Sequence, residues 1–160
     1  MPSLRHATPR DARALAHLGE RTFREAFGPM NTAENIDHHT RERYGEAIQA
    51  DEIADPRMTT LVAEADGALI GFTQLRWEAA PPCVVATTPG EIQRLYVASE
   101  WHGRGIAQQL MEAALGLMQA RRCDVAWLGV WEHNPRAIAF YHKYGFAEVG
   151  DQPYSLGDDD

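Results

Sequence analysis

The chain has 160 residues, an apolar fraction of 44%, four tryptophans and a net charge of −8. Those numbers fit one domain with a substantial core, and so acidic a chain is a poor partner for nucleic acid. No apolar run is long enough to cross a bilayer, and Met1-Pro2-Ser3-Leu4-Arg5-His6 lacks a signal peptide's apolar centre, so no membrane association and a cytoplasmic location are expected.

In chain order, Leu4 to Ala7 reads as a short strand, and Thr8-Pro9 as a helix start, with a capping hydroxyl before proline at the first helical position. Ala12, Leu15, Ala16, Leu18, Phe23 and Phe27 recur near helical spacing, so this helix runs to about Ala26 and stops at Gly28-Pro29. Asn31-Thr32-Ala33-Glu34 opens a more polar helical region, interrupted at Gly45 and closed before Pro56. Thr60 to Ala65 and Ala68 to Trp77 are β-rich runs flanking Asp66-Gly67, a strong hairpin signal. Residues 78–90, with Pro81, Pro82, Pro89 and Gly90, read as a loop, and Glu91 to Val97 as a strand.

Past that strand lies Trp101-His102-Gly103-Arg104-Gly105-Ile106-Ala107, a tight turn running into a helix from Gln108 to about Gln119. Gly103 and Gly105 let a ligand approach the backbone with no Cβ in the way. The first amides of the helix have no intrahelical partners and sit at the positive end of its dipole, which suits a phosphate or pyrophosphate. By itself the pair of glycines equally fits a plain strand-to-helix turn. Val125 to Trp131 reads as a further strand. Asn134-Pro135 opens a short helix to about Lys143, ended by Gly145, and Phe146 to Val149 begins a strand. The order β-α-α-β-β-β-α-β-α-β describes an α+β (mixed α/β) single domain over residues 1–160, with helices covering a largely antiparallel sheet. Cys83 and Cys123 lie far apart, read as reduced thiols, and with the scattered histidines suggest no metal site.

These motifs resemble the GNAT superfamily of acyl-CoA-dependent N-acyltransferases. His102-Gly103-Arg104-Gly105-Ile106-Ala107 is similar to that family's pyrophosphate loop, Gln/Arg-x-x-Gly-x-Gly/Ala, and Leu95-Tyr96-Val97 to the Leu-x-Val strand before it. Asn134 to Phe146 resembles the second signature, Asn-x-x-Ala-x-x-x-Tyr-x-x-x-Gly-Phe. His102 departs from the usual Gln or Arg, but the loop works mainly through backbone N–H groups. Thr22 to Gly28, Asn31 to Glu34 and Leu156-Gly157-Asp158-Asp159 are similar to bacterial polyamine (spermidine/spermine) N-acetyltransferases and their relatives. In that subgroup one more strand follows. The sequence ends at Asp160, so the final strand is expected to be missing or replaced, for example by a neighbouring subunit.

The resemblance implies a central, largely antiparallel sheet of about six or seven strands with roughly four helices. It implies acetyl-CoA as co-substrate, held by the backbone of Leu95, Tyr96 and Val97 along the pantetheine arm. His102 and the loop Gly103, Arg104, Gly105, Ile106, Ala107 and Gln108 would take the pyrophosphate. Asn134 caps its helix and bonds a pantetheine amide. Tyr141 falls where the family places a general acid for the leaving thiolate, the alternative being a core tyrosine; Tyr144, one turn away, is an understudy. Glu91, where histone-type members carry their glutamate, is the candidate base or water-positioning residue, the alternative being a solvated strand-end acid. Glu25 and Glu78 are further acids. The four tryptophans read as core or cleft walls. The expected acceptor is a primary amine of a polyamine-like small molecule, with peptide N-termini, aminoglycosides or amino-acid derivatives behind it. A CoA-binding sensor without turnover is the alternative from another class. A P-loop enzyme is excluded because no Gly-Lys-Ser/Thr follows the turn. Homodimerisation is left open.

Overall fold

The computed structural model describes residues 2–27, 44–77, 80–129 and 135–149. Within them run β1 (Ser3–His6), a 3₁₀ turn (Pro9–Asp11), α1 (Ala12–Phe27), α2 (Glu46–Ala54), β2 (Met58–Ala65), β3 (Ala68–Trp77), β4 (Pro89–Val97), a second 3₁₀ turn (Ser99–Trp101), α3 (Ile106–Ala120), β5 (Val125–Trp127) and α4 (Pro135–His142). The strands form one sheet in the order β1-β2-β3-β4-β5. Its first three pairings are antiparallel and only β4–β5 is parallel. Asp66 and Gly67 both have positive φ, 52° and 78°, the backbone that a two-residue hairpin between β2 and β3 requires.

The sheet is covered on both faces. On one, α1 sets Leu15, Leu18 and Phe23 against Val62, Phe72 and Ala98, with Tyr44 completing the cluster. Tyr44 lies so close to α1 that a Cβ on Gly19 would come within 2.3 Å of its ring, so glycine is required there. On the other face α3 buries Ile106, Leu110, Met111, Ala114 and Met118, a stripe at helical spacing. They meet Ala63, Ile70, Val97, Leu75, Trp77 and Ile92 of the sheet. Each such aliphatic side chain contributes roughly 1.5–3 kcal/mol on burial.

The mixed α+β architecture agrees with the sequence reading, with four α-helices and five strands among the described residues. The count among the described residues is lower than the expected six or seven strands. Phe146 to Val149 is not a strand: Gly145 adopts φ 87°, and the Phe146 amide turns back to the Tyr141 carbonyl at 3.3 Å. This glycine-ended helix terminus directs the Phe146 ring onto Tyr141, centroids 5.9 Å apart, instead of extending the chain along the sheet. β4 begins two residues earlier than expected, at Pro89, because Thr87 and Thr88 donate their amides to the Asp124 carboxylate at 2.8 and 2.9 Å and bring that loop end alongside β5. Helix α3 begins at Ile106, not Gln108. The helical region expected from Asn31, the end of the strand from Val125 to Trp131 and the final-strand question past Leu156 lie, wholly or in part, outside the described residues.

Candidate active site

β4 pairs with β3 along most of its length but with β5 only from Pro89↔Val125 to Glu91↔Trp127. Beyond Glu91 no strand lies along that edge among the described residues. The parting coincides with a bulge: Leu75 pairs with Ile92 and Gln74 with Arg94, which leaves Gln93 as an extra residue. A bulge bends its strand and sharpens the local twist. The Ala98 amide donates to the Ile70 carbonyl of β3 at 2.8 Å. Main-chain groups alternate between a strand's two edges, so those of Tyr96 face β3, while those of Leu95 and Val97 face the edge β5 has left. Of the three residues expected to line a pantetheine arm, two therefore offer free-edge backbone. The Tyr96 ring packs on Phe72 at 5.9 Å.

That free edge leads into the glycine turn. Gly103 and Gly105 take φ 78° and 82°, a left-handed conformation open to glycine. No heavy atom outside the turn comes within 4 Å of a Cβ built at Gly103, so conformation and not crowding selects it. None of the amides from Gly103 through Gln108 donates to a backbone carbonyl among the described residues; the first that does is Gln109, to Gly105 at 3.1 Å. This row of open donors at the start of α3 is what an anion requires.

His102 does not point along the row. Its Nε2 lies 2.8 Å from the Val97 carbonyl, so the nitrogen carries the proton and donates, tying the turn to the end of β4. Arg104 stacks over the Trp101 ring at 4.9 Å and keeps a cation at the rim of the turn. The preceding 3₁₀ turn is held from α1: Arg21 donates to Glu100 at 2.6 Å, and Ser99 to Glu25 at 2.9 Å. Glu25, one of the further acids, is thus occupied with Ser99 and Arg21.

Tyr141 reaches the parting from the α3 side. It packs in the cluster containing Ile92, Ala126 and Leu128, with Leu95 at its margin. Phe140 and Phe146 lie edge-on to its ring at 5.5 and 5.9 Å. Its hydroxyl has no hydrogen-bond partner among the described residues, and burial pushes its pKa up to about 12. The phenol therefore stays protonated throughout the physiological range. Tyr144 stands on the same helix end, its ring against Phe140 at 5.3 Å.

Glu91 occupies the other face. It is buried and accepts a hydrogen bond from Arg76 Nε at 2.7 Å, so it is a held carboxylate and not a solvated strand end. Arg94 extends the same polar strip: its guanidinium donates to Glu52 of α2 at 3.0 Å and to Gln74, and lies over the Tyr44 ring at 5.0 Å. Gln74 in turn donates to Gln49 at 2.9 Å, and Gln49 to Glu52 at 2.9 Å. Sequence reasoning passed over Arg76, Arg94, Glu52 and Gln93. The available signal was a guanidinium and an amide interrupting otherwise apolar strands. Asn134, Glu78 and Trp131 lie outside the described residues. Among the described residues no group of three His, Cys, Asp or Glu is arranged to hold a metal, and no helix is long and apolar enough to cross a membrane.

A parted sheet whose free edge runs into an amide-lined helix start is the architecture of an acetyl-CoA-dependent acetyltransferase, and comparison with known proteins agrees. The Acetyltransferase (GNAT) family matches residues 21–146. An uncharacterized N-acetyltransferase of Lactobacillus delbrueckii subsp. lactis is 31% identical over 89% of this chain and 82% of its own. Another, from Mycobacterium tuberculosis, is 32% identical over 92% and 90%. The crystal structure of the PaiA N-acetyltransferase of Thermoplasma acidophilum in complex with coenzyme A superposes with a TM-score of 0.82 at 25% identity, covering 94% of this chain and 93% of that one. The chain belongs to the GNAT acetyltransferase family, and acetyl-CoA is its co-substrate.

Proposed function

We propose that the protein moves an acetyl group from acetyl-CoA to the primary amine of a small, polyamine-like molecule in the cytoplasm, by direct attack within a ternary complex. The observation that carries this reading is the alignment of two sets of open main-chain donors: Leu95 and Val97 on the free edge of β4, and Gly103 through Gln108 at the start of α3. The first set matches the amides of a pantetheine arm and the second a diphosphate, so a cofactor spanning both has its thioester at the parting near Gln93. Asn134 supplies a further bond to the arm. An amide on the free edge polarises the thioester carbonyl as charge builds on its oxygen.

Tyr141 donates its phenolic proton toward the departing sulfur, and Glu91, fixed by Arg76, takes the amine's proton directly or through water. Direct transfer is favoured over an acyl-enzyme because burial pushes the Cys123 thiol up, away from the thiolate a nucleophile needs. Its sulfur lies 3.1 Å from a Cβ built on Gly90, packed at the base of β4. The polyamine preference rests on the acidic charge of −8 and on the motifs at Thr22 to Gly28 and Asn31 to Glu34. The test is to incubate the protein with acetyl-CoA and spermidine, spermine, an aminoglycoside, a dipeptide and an amino-acid amide while following free thiol. Amine-stimulated release with intersecting initial-velocity lines is expected. Parallel lines refute direct transfer, and no release with any amine refutes the enzymatic reading.

A further inference from the structure

On the face of β4 that carries Glu91 and Arg94, side-chain acceptors are paired with guanidinium groups: Glu91 with Arg76, and Glu52 and Gln74 with Arg94. Gln93 breaks that pattern. Its Oε1 is buried and has no hydrogen-bond partner among the described residues. A buried acceptor left unpaired costs stability, so one kept at a strand bulge points to a partner beyond the described residues, and its place at the parting points to a bound ligand. Gln93 is the residue the bulge inserts, two past the last β4–β5 pair, where the sheet opens. Strand alternation from Glu91 puts it on the α1/α2 face, opposite the cluster that contains Tyr141. The thioester lies at this parting if the proposed function holds, and the inference rests on that reading.

We propose that Gln93 Oε1 is an acceptor-binding group, receiving an N–H of the incoming primary amine and orienting its lone pair at the thioester. The chemistry suits a neutral amide oxygen. It accepts from an ammonium or an amine alike, and it does not itself take the proton that must leave before attack. Glu91 remains beside it to receive that proton. Once neutral, a primary amine keeps two N–H groups, so one can be given to Gln93 while the lone pair stays free. A tertiary amine presents no such donor after deprotonation.

The test is Gln93→Met, which keeps length and removes the oxygen. With the amine that the wild-type enzyme prefers, kcat/KM for the amine should fall roughly ten- to a hundred-fold, while the KM for acetyl-CoA changes less than about two-fold. Thermal stability of the free protein should hold or rise, because the unpaired buried acceptor has gone; a structural role predicts the reverse. Gln93→Glu, which restores an oxygen acceptor, should recover most of the lost amine kcat/KM. An unchanged amine kcat/KM in Gln93→Met overturns the proposal, as does a shift confined to the KM for acetyl-CoA, which would assign the oxygen to the pantetheine arm. Loss of turnover explained by a lowered melting temperature also overturns it. Wild-type protein that releases no thiol with any amine sinks the proposed function itself, whereas a fully active Gln93→Met sinks only this inference.

Discussion

Replacing Tyr141 with Phe removes one hydroxyl and little else. The ring contacts with Phe140 and Phe146 survive, and the hydroxyl gives up no partner among the described residues. Stability should therefore change by less than about 0.5 kcal/mol. The effect on rate follows from the raised pKa. An ordinary thiol titrates near 8.5, whereas burial pushes this phenol up to about 12. Complete proton transfer to a thiolate is then uphill by roughly 3.5 units, or about 5 kcal/mol. The phenol does its work as a hydrogen-bond donor to sulfur while the C–S bond breaks, and the proton reaches solvent later. A hydrogen bond to a charged group contributes about 1.5–3 kcal/mol, so kcat should fall roughly ten- to a hundred-fold with little change in acetyl-CoA affinity. Stopped-flow detection of free thiol at saturating acetyl-CoA and amine measures it. The same pKa predicts that Tyr141 contributes no alkaline limb to the wild-type kcat profile up to pH 10, since the donor form persists until about pH 12. An unchanged kcat in Tyr141→Phe would refute the reasoning and return Tyr141 to the core.

Gly105→Glu should abolish detectable acetyl-CoA binding by calorimetry, through like charge at the phosphate row. The fold should persist, since the nearest atom to a new Cβ is Gln108 Oε1 at 3.8 Å and the cost is backbone strain of about 1–2 kcal/mol at φ 82°; retained binding would move the diphosphate elsewhere. Arg94→Leu removes the cation paired with Glu52 and the donor to Gln74 Oε1, leaving Glu52 its bond from Gln49, and should cost about 3–5 kcal/mol, a fall in Tm of roughly 8–15 °C; a drop under about 2 °C would show the network to be dispensable. Asp11, held at about 2 by hydrogen bonds from Arg5, has its folded pKa below the ordinary 3.8. Its contribution is therefore present in full above about pH 4 and lost as pH falls through 2, and Arg5→Met should remove about 1–2 kcal/mol at pH 7 and clearly less at pH 2, where half of the carboxyl is protonated. Urea unfolding across that range checks the sign, and a difference that grows on acidification would contradict it.

The hairpin at Asp66-Gly67, the glycine turn and the stripe of α3 are legible in the sequence because each is fixed by a few neighbouring residues. Two positive φ angles demand Asp-Gly there, and a helix stripe declares itself at spacings of three and four. The end of the chain is less legible. Phe146 to Val149 has β-forming composition, yet a strand needs an edge to join, and the turn at Gly145 sends Phe146 to Tyr141 instead. The same limit applies to the site. Glu91 is readable by its distance from the loop, but its partner Arg76 lies fifteen positions away on another strand. His102 is readable as a loop residue, but not as the donor that closes on Val97, since that bond depends on how the turn folds back.

The features around β4 become intelligible together. A strand has two faces and two edges, and here each has a separate task. The edge toward β3 holds the fold, through pairs from Gly71↔Val97 to Trp77↔Gly90. The opposite edge is paired only as far as Glu91 and then free, which leaves backbone donors for a linear cofactor. One face gives Ile92 and Val97 to the apolar layer under α3, and that layer also seats Tyr141. The other gives Glu91 and Arg94 to a polar layer under α2. Donor-side and acceptor-side chemistry are thereby divided by the thickness of a single strand. Substitutions on the α3 face should disturb stability and the leaving group together, whereas those on the α2 face should alter amine use while cofactor affinity is kept. A strand with strict alternation along its whole length would put residue 94 on the α3 face with Ile92. The inserted Gln93 restores the alternation in the opposite phase, so that Arg94 meets Glu52 and Leu95 remains with the apolar layer. Deleting Gln93 would set Arg94 directly after Ile92 opposite Gln74 and Leu75, keep Arg94 and Leu95 on their present faces and remove the bulge, so it should cost the bend at the parting while the domain stays folded.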